Sequence, residues 1–281
     1  ARMIIDGDSR ISLSNNDSNT SNTVFGKSAF NTSSDNSSDL NVAIGESAMG
    51  TGSVAGASYN TTIGYQSLTD ITSGDYNVAL GLFSADSLTT ASKCTIIGAS
   101  AGRAITTTGG SNEHDGTVAV GYASLTALTS GQGNVAIGYL ALTAEDDGDY
   151  NTAIGYQALT AQEGITGEVG NTAVGYKSGL AMTSGINNTL MGAHSGDALT
   201  TGDYNTAVGF NALTVDDVGD KSSAFGYGAL GSQNIVSAGS TYNTGIGMQT
   251  GYYNVTGTNN TYVGYQAGYG ATGQSNSNNT A

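Results

Sequence analysis

A five-residue phrase, N-[TV]-A-[IV]-G, returns along the whole chain and constrains its fold more than any other feature. It appears as NTVFG at Asn22 to Gly26, NVAIG at Asn134 to Gly138, NTAIG at Asn151 to Gly155, and NTAVG at both Asn171 to Gly175 and Asn205 to Gly209. Fourteen glycines close the copies, and eight of the thirteen steps between them are 17 residues. The other steps are 19, 19, 23, 20 and 21, and each places its extra residues after an A-L-T-like portion and before the next copy. Insertions confined to one place imply a fixed cross-section with a single permissive loop. Asn279-Thr280-Ala281 begins a fifteenth copy, which predicts a piece of a longer polypeptide. Residues 1–21 read as a connecting segment and 22–281 as the repeat domain.

Seventeen residues are too few for a propeller blade of ~40 or a paired-helix repeat of ~33. β-Branched residues alternate with small ones and a glycine ends the run, which predicts a short strand. A second strand is expected around Y-x-A-L, with turns at glycine and at the G-D pairs. The predicted class is all-β: a parallel β-solenoid of about fourteen coils stacked ~4.8 Å apart. Glycine (43 of 281 residues) and β-branched residues recur too often for helix. No apolar run approaches the ~18 residues that would cross a membrane.

Period-two geometry assigns faces. Thr152 and Ile154 share one face and are expected to fill a thin core. Ala153 and Gly155 share the other, which suits close approach of another backbone or subunit. Structural roles follow for Asn134, Ile137, Gly138, Asn151, Ala153, Ile154, Gly155, Asn171, Val174, Gly175, Asn205, Val208 and Gly209, with the asparagines laddering from coil to coil. So thin a core predicts a homotrimer, packed through Ala153, Gly155 and their equivalents.

The 22 acidic against 7 basic side chains give a net charge of -15, which excludes nucleic acid and anionic membrane as partners. Cys94 is the only cysteine, so neither an internal disulfide nor a cysteine-based zinc site can form; it is expected to be a small buried hydrophobe. No G-x-S-x-G, H-E-x-x-H or P-loop occurs, so no catalytic residue, metal or cofactor is assigned and the chain is not expected to be an enzyme. Glu145-Asp146-Asp147 with Asp149, and Asp216-Asp217 with Asp220, read as solvated loop charge, with calcium as the alternative. Seven tyrosines follow the motif glycine and five precede the motif asparagine, predicting aromatic ladders, or alternatively a surface on which sugars stack. Candidate receptor contacts are Asn112, Glu113, His114 and Asp115 in the longest connection, with Tyr156 and Tyr176.

The motif at Asn134 to Gly138 and Asn171 to Gly175 resembles the head repeat of YadA-like trimeric autotransporter adhesins, over about residues 22–281. The opening Arg10 to Gly26 and the Y-Q-A-L variant look like predicted tail-fibre proteins of marine bacteriophages. The family's period is usually shorter than 17. The resemblance implies a left-handed β-roll with three chains side by side. The expected function is a structural, adhesive fibre segment of a virion tail fibre, partnered by itself and by a host-surface glycan or protein. The alternatives are the head of a bacterial surface adhesin and a tailspike-like glycan depolymerase. Ice binding is disfavoured, because the irregular 19, 20, 21 and 23 steps argue against a flat threonine array.

Overall fold

In each coil a three-residue run of β-branched and small residues becomes a strand, and the glycine after it turns the chain. The computed structural model describes residues 4–5, 11–12, 21–30, 37–50, 54–106, 114–163, 165–272 and 275–281. Among these every regular element is a strand, and the chain is a parallel β-solenoid. Among the described residues no helix is long and apolar enough to cross a membrane.

Two compact units divide the chain, Ala1–Gln132 and Gly133–Ala281. In the first, β1 (Ile4–Ile5) and β2 (Ile11–Ser12) form an antiparallel pair. Six motif strands follow: β3 (Thr23–Phe25), β4 (Val42–Ile44), β5 (Thr61–Ile63), β6 (Val78–Leu80), β7 (Thr95–Ile97) and β8 (Val118–Val120). Each pairs in parallel with the next. The second unit contains β9 (Val135–Ile137), β10 (Gly148–Asp149), β11 (Thr152–Ile154), β12 (Gly167–Glu168), β13 (Thr172–Val174), β14 (Thr189–Met191) and β15 (Thr206–Val208). It continues with β16 (Gly219–Asp220), β17 (Ser223–Phe225), β18 (Gly239–Ser240), β19 (Thr244–Ile246) and β20 (Thr261–Val263). Its eight motif strands pair in parallel in sequence order. The short strands form two further parallel pairs, β10 with β12 and β16 with β18.

Register ignores the insertions. Across the 20-residue step Thr152 faces Thr172, Ala153 faces Ala173 and Ile154 faces Val174. The sheet face is therefore regular within each unit, and uneven steps are no argument against a flat array.

The expected second strand is absent. Residues 155–159 form a turn in which Gln157 (φ 54°) and Leu159 (φ 48°) are left-handed. Alternation of this kind points successive amides at opposite neighbours. Gln157 N–H donates to the Tyr139 carbonyl of the preceding coil (2.9 Å), and Leu159 N–H to Ser178 of the following one (3.1 Å). With Tyr150 (φ 60°), each such coil has three non-glycine residues in a conformation that costs ~1–3 kcal/mol apiece.

The predicted faces are inverted. Ala153 is fully buried while Thr152 and Ile154 are half-buried and point outward. Nearly every motif strand repeats this, with its central residue inside. The core of each coil is small: the motif alanine, the A-L pair such as Ala158 and Leu159, and one further residue three positions on. In three coils bulk changes sides of that space, whereas Ala173 with Gly179 and Gly245 with Gly251 are small on both sides and meet side chains of the neighbouring coils. Where the alanine position holds Ile96, Leu190 or Tyr262, the leucine position holds Gly102, Gly196 or Gly268. A Cβ on those glycines would lie 2.7 Å from Ile96, 2.8 Å from Leu190 and 2.2 Å from Tyr262. The alanine is thus the small half of a small–large pair.

Ala153→Leu is expected to cost ~1–3 kcal/mol by overpacking against Leu159. Adding Leu159→Gly should restore most of that loss in a urea melt. Further destabilisation by the second substitution would show that the two residues do not share one volume.

Candidate surface and buried polar columns

The motif asparagines stand at a buried corner and form the predicted ladder. Asn188 N–H donates to Asn171 Oδ1 (2.8 Å), and Asn188 Oδ1 accepts from Asn205 N–H (2.8 Å). Its side-chain amide reaches the Gly202 carbonyl (2.8 Å). The same contacts recur at Asn41, Asn60 and Asn77, leaving the corner's polar groups paired without water. Cys94 takes this place in one coil; its N–H donates to Asn77 Oδ1 (2.9 Å) and its thiol to the His114 carbonyl (3.2 Å). Burial pushes the thiol up to about 12, as expected of a buried cysteine.

A second column corrects the reading of the acidic groups. Three positions after the buried leucine site stand Ile71, Leu88, Ile105, Leu128, Met182 and Leu199, all in the core. Glu145, Gln162, Asp216 and Gln233 occupy the same position and are also buried. Glu145 and Asp216 are therefore not solvated loop charge. The cause is the insertion. In a 17-residue coil the asparagine amide donates to a carbonyl fourteen residues on, as from Asn171 to Gly185 (2.6 Å). Two extra residues keep such a carbonyl, sixteen on, as from Asn41 to Ala57 (2.9 Å); in the 20-residue step polar side chains serve Asn151 instead. Gln162 donates to Asn151 Oδ1 (3.2 Å) and accepts from Asn171 (3.0 Å), while Glu145 accepts from Gly148 N–H (2.7 Å) and weakly from Asn151 (3.4 Å). The 21-residue step repeats the device: Gln233 donates to Ser222 (2.8 Å) and Asp216 (2.5 Å), and accepts from Asn243 (2.8 Å).

Desolvation raises the Glu145 carboxyl to about 7 against the opposing pull of its backbone donors, and it raises Asp216 as well. Glu145, Asp146 and Asp147 bring one carboxylate oxygen each within 4.8 Å of one another. The hydrogen bonds of Glu145 already account for its placement.

On the outside, Tyr150, Thr152, Ile154 and Tyr156 alternate with inward residues to form one face. Its inner columns are Thr, Val or Ser and an apolar residue; tyrosines recur along both margins as rails interrupted by residues such as Gly170, Asn187, Ala193 and Lys221. Ile137, Ile154, Val174, Met191, Val208, Phe225, Ile246 and Val263 form the apolar column of the second unit, with Met191 46% and Ile246 44% exposed. The rails stack: Tyr139 on Tyr156 at 5.1 Å, Tyr156 on Tyr176 at 5.4 Å, and Tyr59 on Tyr76 at 4.7 Å. Stacked rings cover one another's faces and leave edges and hydroxyls to solvent, which favours the ladder over the sugar-stacking alternative.

Of the candidate receptor contacts, Tyr156 and Tyr176 are exposed rail members. His114 is fully buried, which removes its ring from any receptor surface. Asp115 is half-buried, accepting from Ser92 N–H (2.7 Å) with Lys93 at 3.7 Å. Asn112 and Glu113 lie outside the described residues. Comparison with protein-family models, curated proteins and solved structures finds no match.

Proposed function

We propose that the protein is a structural, adhesive fibre segment, built of three chains side by side and carried on a virion as part of a tail fibre. The carrying observation is the outward face of the sheet: an in-register apolar column, flanked by tyrosine rails, that a lone chain leaves half exposed. The face from Tyr150 to Tyr156 is ~20 Å wide, and eight coils rise ~38 Å. In a trimer each chain meets two neighbours, so this ~750 Å² face gives ~375 Å² per contact, about half the ~800 Å² per partner of a standard interface, and the closed ring supplies three such contacts. Ala153 and Gly155 serve the coil's own interior, so the subunit contact belongs instead to Thr152, Ile154 and their equivalents. Backbone ladders supply stiffness, and the variable loops supply contact surface for a host glycan or protein; Val236, 85% exposed in the longest described loop, is one such point.

Light scattering on the purified protein tests the assembly, with a mass of three times the 28.1 kDa chain expected. Ile154→Lys with Val174→Lys should reduce the mass to that of a single chain and leave the β circular dichroism signal unchanged. A wild-type monomer would overturn the trimer, and release of oligosaccharide from host polysaccharide would overturn the non-enzymatic reading.

A further inference from the structure

The tyrosine rails bring phenols from successive coils into a geometry suited to covalent coupling. Tyr59 and Tyr76 lie 4.7 Å apart between centroids with planes 5° from parallel, and both are about half exposed. Tyr139, Tyr156 and Tyr176 form a stack of three at 5.1 and 5.4 Å, with planes 9° and 16° apart. The chain supplies its own comparison. Tyr204 and Tyr242 are equally exposed, yet among the described residues neither has a tyrosine ring against it. Asn187 and Lys221 occupy the equivalent rail positions on either side of Tyr204, and the Lys221 ammonium lies 5.5 Å from the Tyr242 ring.

We propose that the stacked tyrosines are sites of intrachain dityrosine formation, each link tying one coil to the next, under a peroxidase-class oxidant with hydrogen peroxide. Each phenol gives up one electron and its phenolic proton. The two radicals couple through the ring carbons ortho to the oxygens, forming one C–C bond. The hydrogens on those carbons move to the oxygens and restore both phenols. The protein loses two hydrogens per link, and one peroxide is reduced to two waters. Stacking holds the ortho carbons of neighbouring rings adjacent when the radicals form, so coupling competes favourably with escape to solvent. Such links would tie coils otherwise joined across their faces only by hydrogen bonds and packing, a gain for a fibre outside the cell.

The test oxidises dilute protein with a haem peroxidase and hydrogen peroxide, cleaves it at Asp and Glu, and maps linked peptides by mass spectrometry. Asp70 and Asp75 separate Tyr59 from Tyr76; Glu145 to Asp147 separate Tyr139 from Tyr156; Glu163 and Glu168 separate Tyr156 from Tyr176. Peptide pairs two hydrogens lighter than their sum are expected for these three contacts, at least tenfold more abundant than any link through Tyr204 or Tyr242. Tyr156→Phe, which keeps the stack, should remove both links of the second cluster and retain Tyr59–Tyr76. Comparable yields at Tyr204 or Tyr242, mainly interchain links, or tyrosine oxidation without dityrosine would each overturn the proposal.

Discussion

Gly155→Ala is expected to abolish cooperative folding of the second unit or to cost more than ~4 kcal/mol in a denaturant melt, whereas Gly239→Ala should be nearly silent. Gly155 has φ +141°, and a Cβ there would sit 2.3 Å from the carbonyl oxygen of Gly175 in the next coil. That contact would force the coils about an ångström apart and break the ladder on both sides. Gly239 has no left-handed φ, and a Cβ would meet nothing within 4 Å. Gly167 separates strain from collision: its φ is +92°, but a Cβ there would meet nothing within 4 Å. Gly167→Ala should cost only the ~1–3 kcal/mol of backbone strain. If Gly155→Ala and Gly167→Ala lose equal stability, close approach of backbones is not what the motif glycine provides.

The second large effect is a stability that falls as pH rises. An acid whose folded pKa lies above its unfolded value holds its proton more tightly when folded. Its contribution is complete below the unfolded pKa and is lost as pH climbs through the folded one. For Glu145 that window runs from 4.5 to about 7. A shift of this size corresponds to roughly 3 kcal/mol. Asp216 and Asp86 are raised too and act in the same sense. The protein should therefore melt at a higher temperature at pH 5 than at pH 8, the reverse of ordinary acid denaturation. Glu145→Gln should flatten much of the slope and raise stability at pH 8, since Gln162 shows that an amide fits the same position one coil on. A Glu145→Gln profile parallel to the wild type would remove Glu145 as the source.

The period, the strand positions and the asparagine ladder were legible in the sequence because each depends on local spacing. The faces were not. Bulk was equated with the interior, yet in so narrow a coil the leucine of the A-L pair already fills the space and leaves room only for alanine opposite it. The exchange of Ala and Leu for Ile96 and Gly102, or for Leu190 and Gly196, carried that information within the chain. The buried acids were hidden because everything after the A-L-T portion was read as loop. Counted seven positions on from the motif glycine, Glu145 and Asp216 fall in line with Ile71, Leu88 and Leu199. The apparent second strand failed for a different reason: left-handed residues at Gln157 and Leu159 are stabilised by neighbouring coils, and no local propensity announces them.

Those left-handed residues bear on how the chain acquires its structure. A solitary coil would carry the strain of Tyr150, Gln157 and Leu159 with few of the bonds that offset it, so it is uphill on its own. A coil laid on an existing one gains a ready row of acceptors and an asparagine oxygen to receive its amide. Folding is then template growth, with one slow nucleation between the first coils and downhill addition thereafter. A chain emerging from the ribosome would add coils in the order they are made, and a break in one coil would stall those beyond it while leaving the finished stack intact.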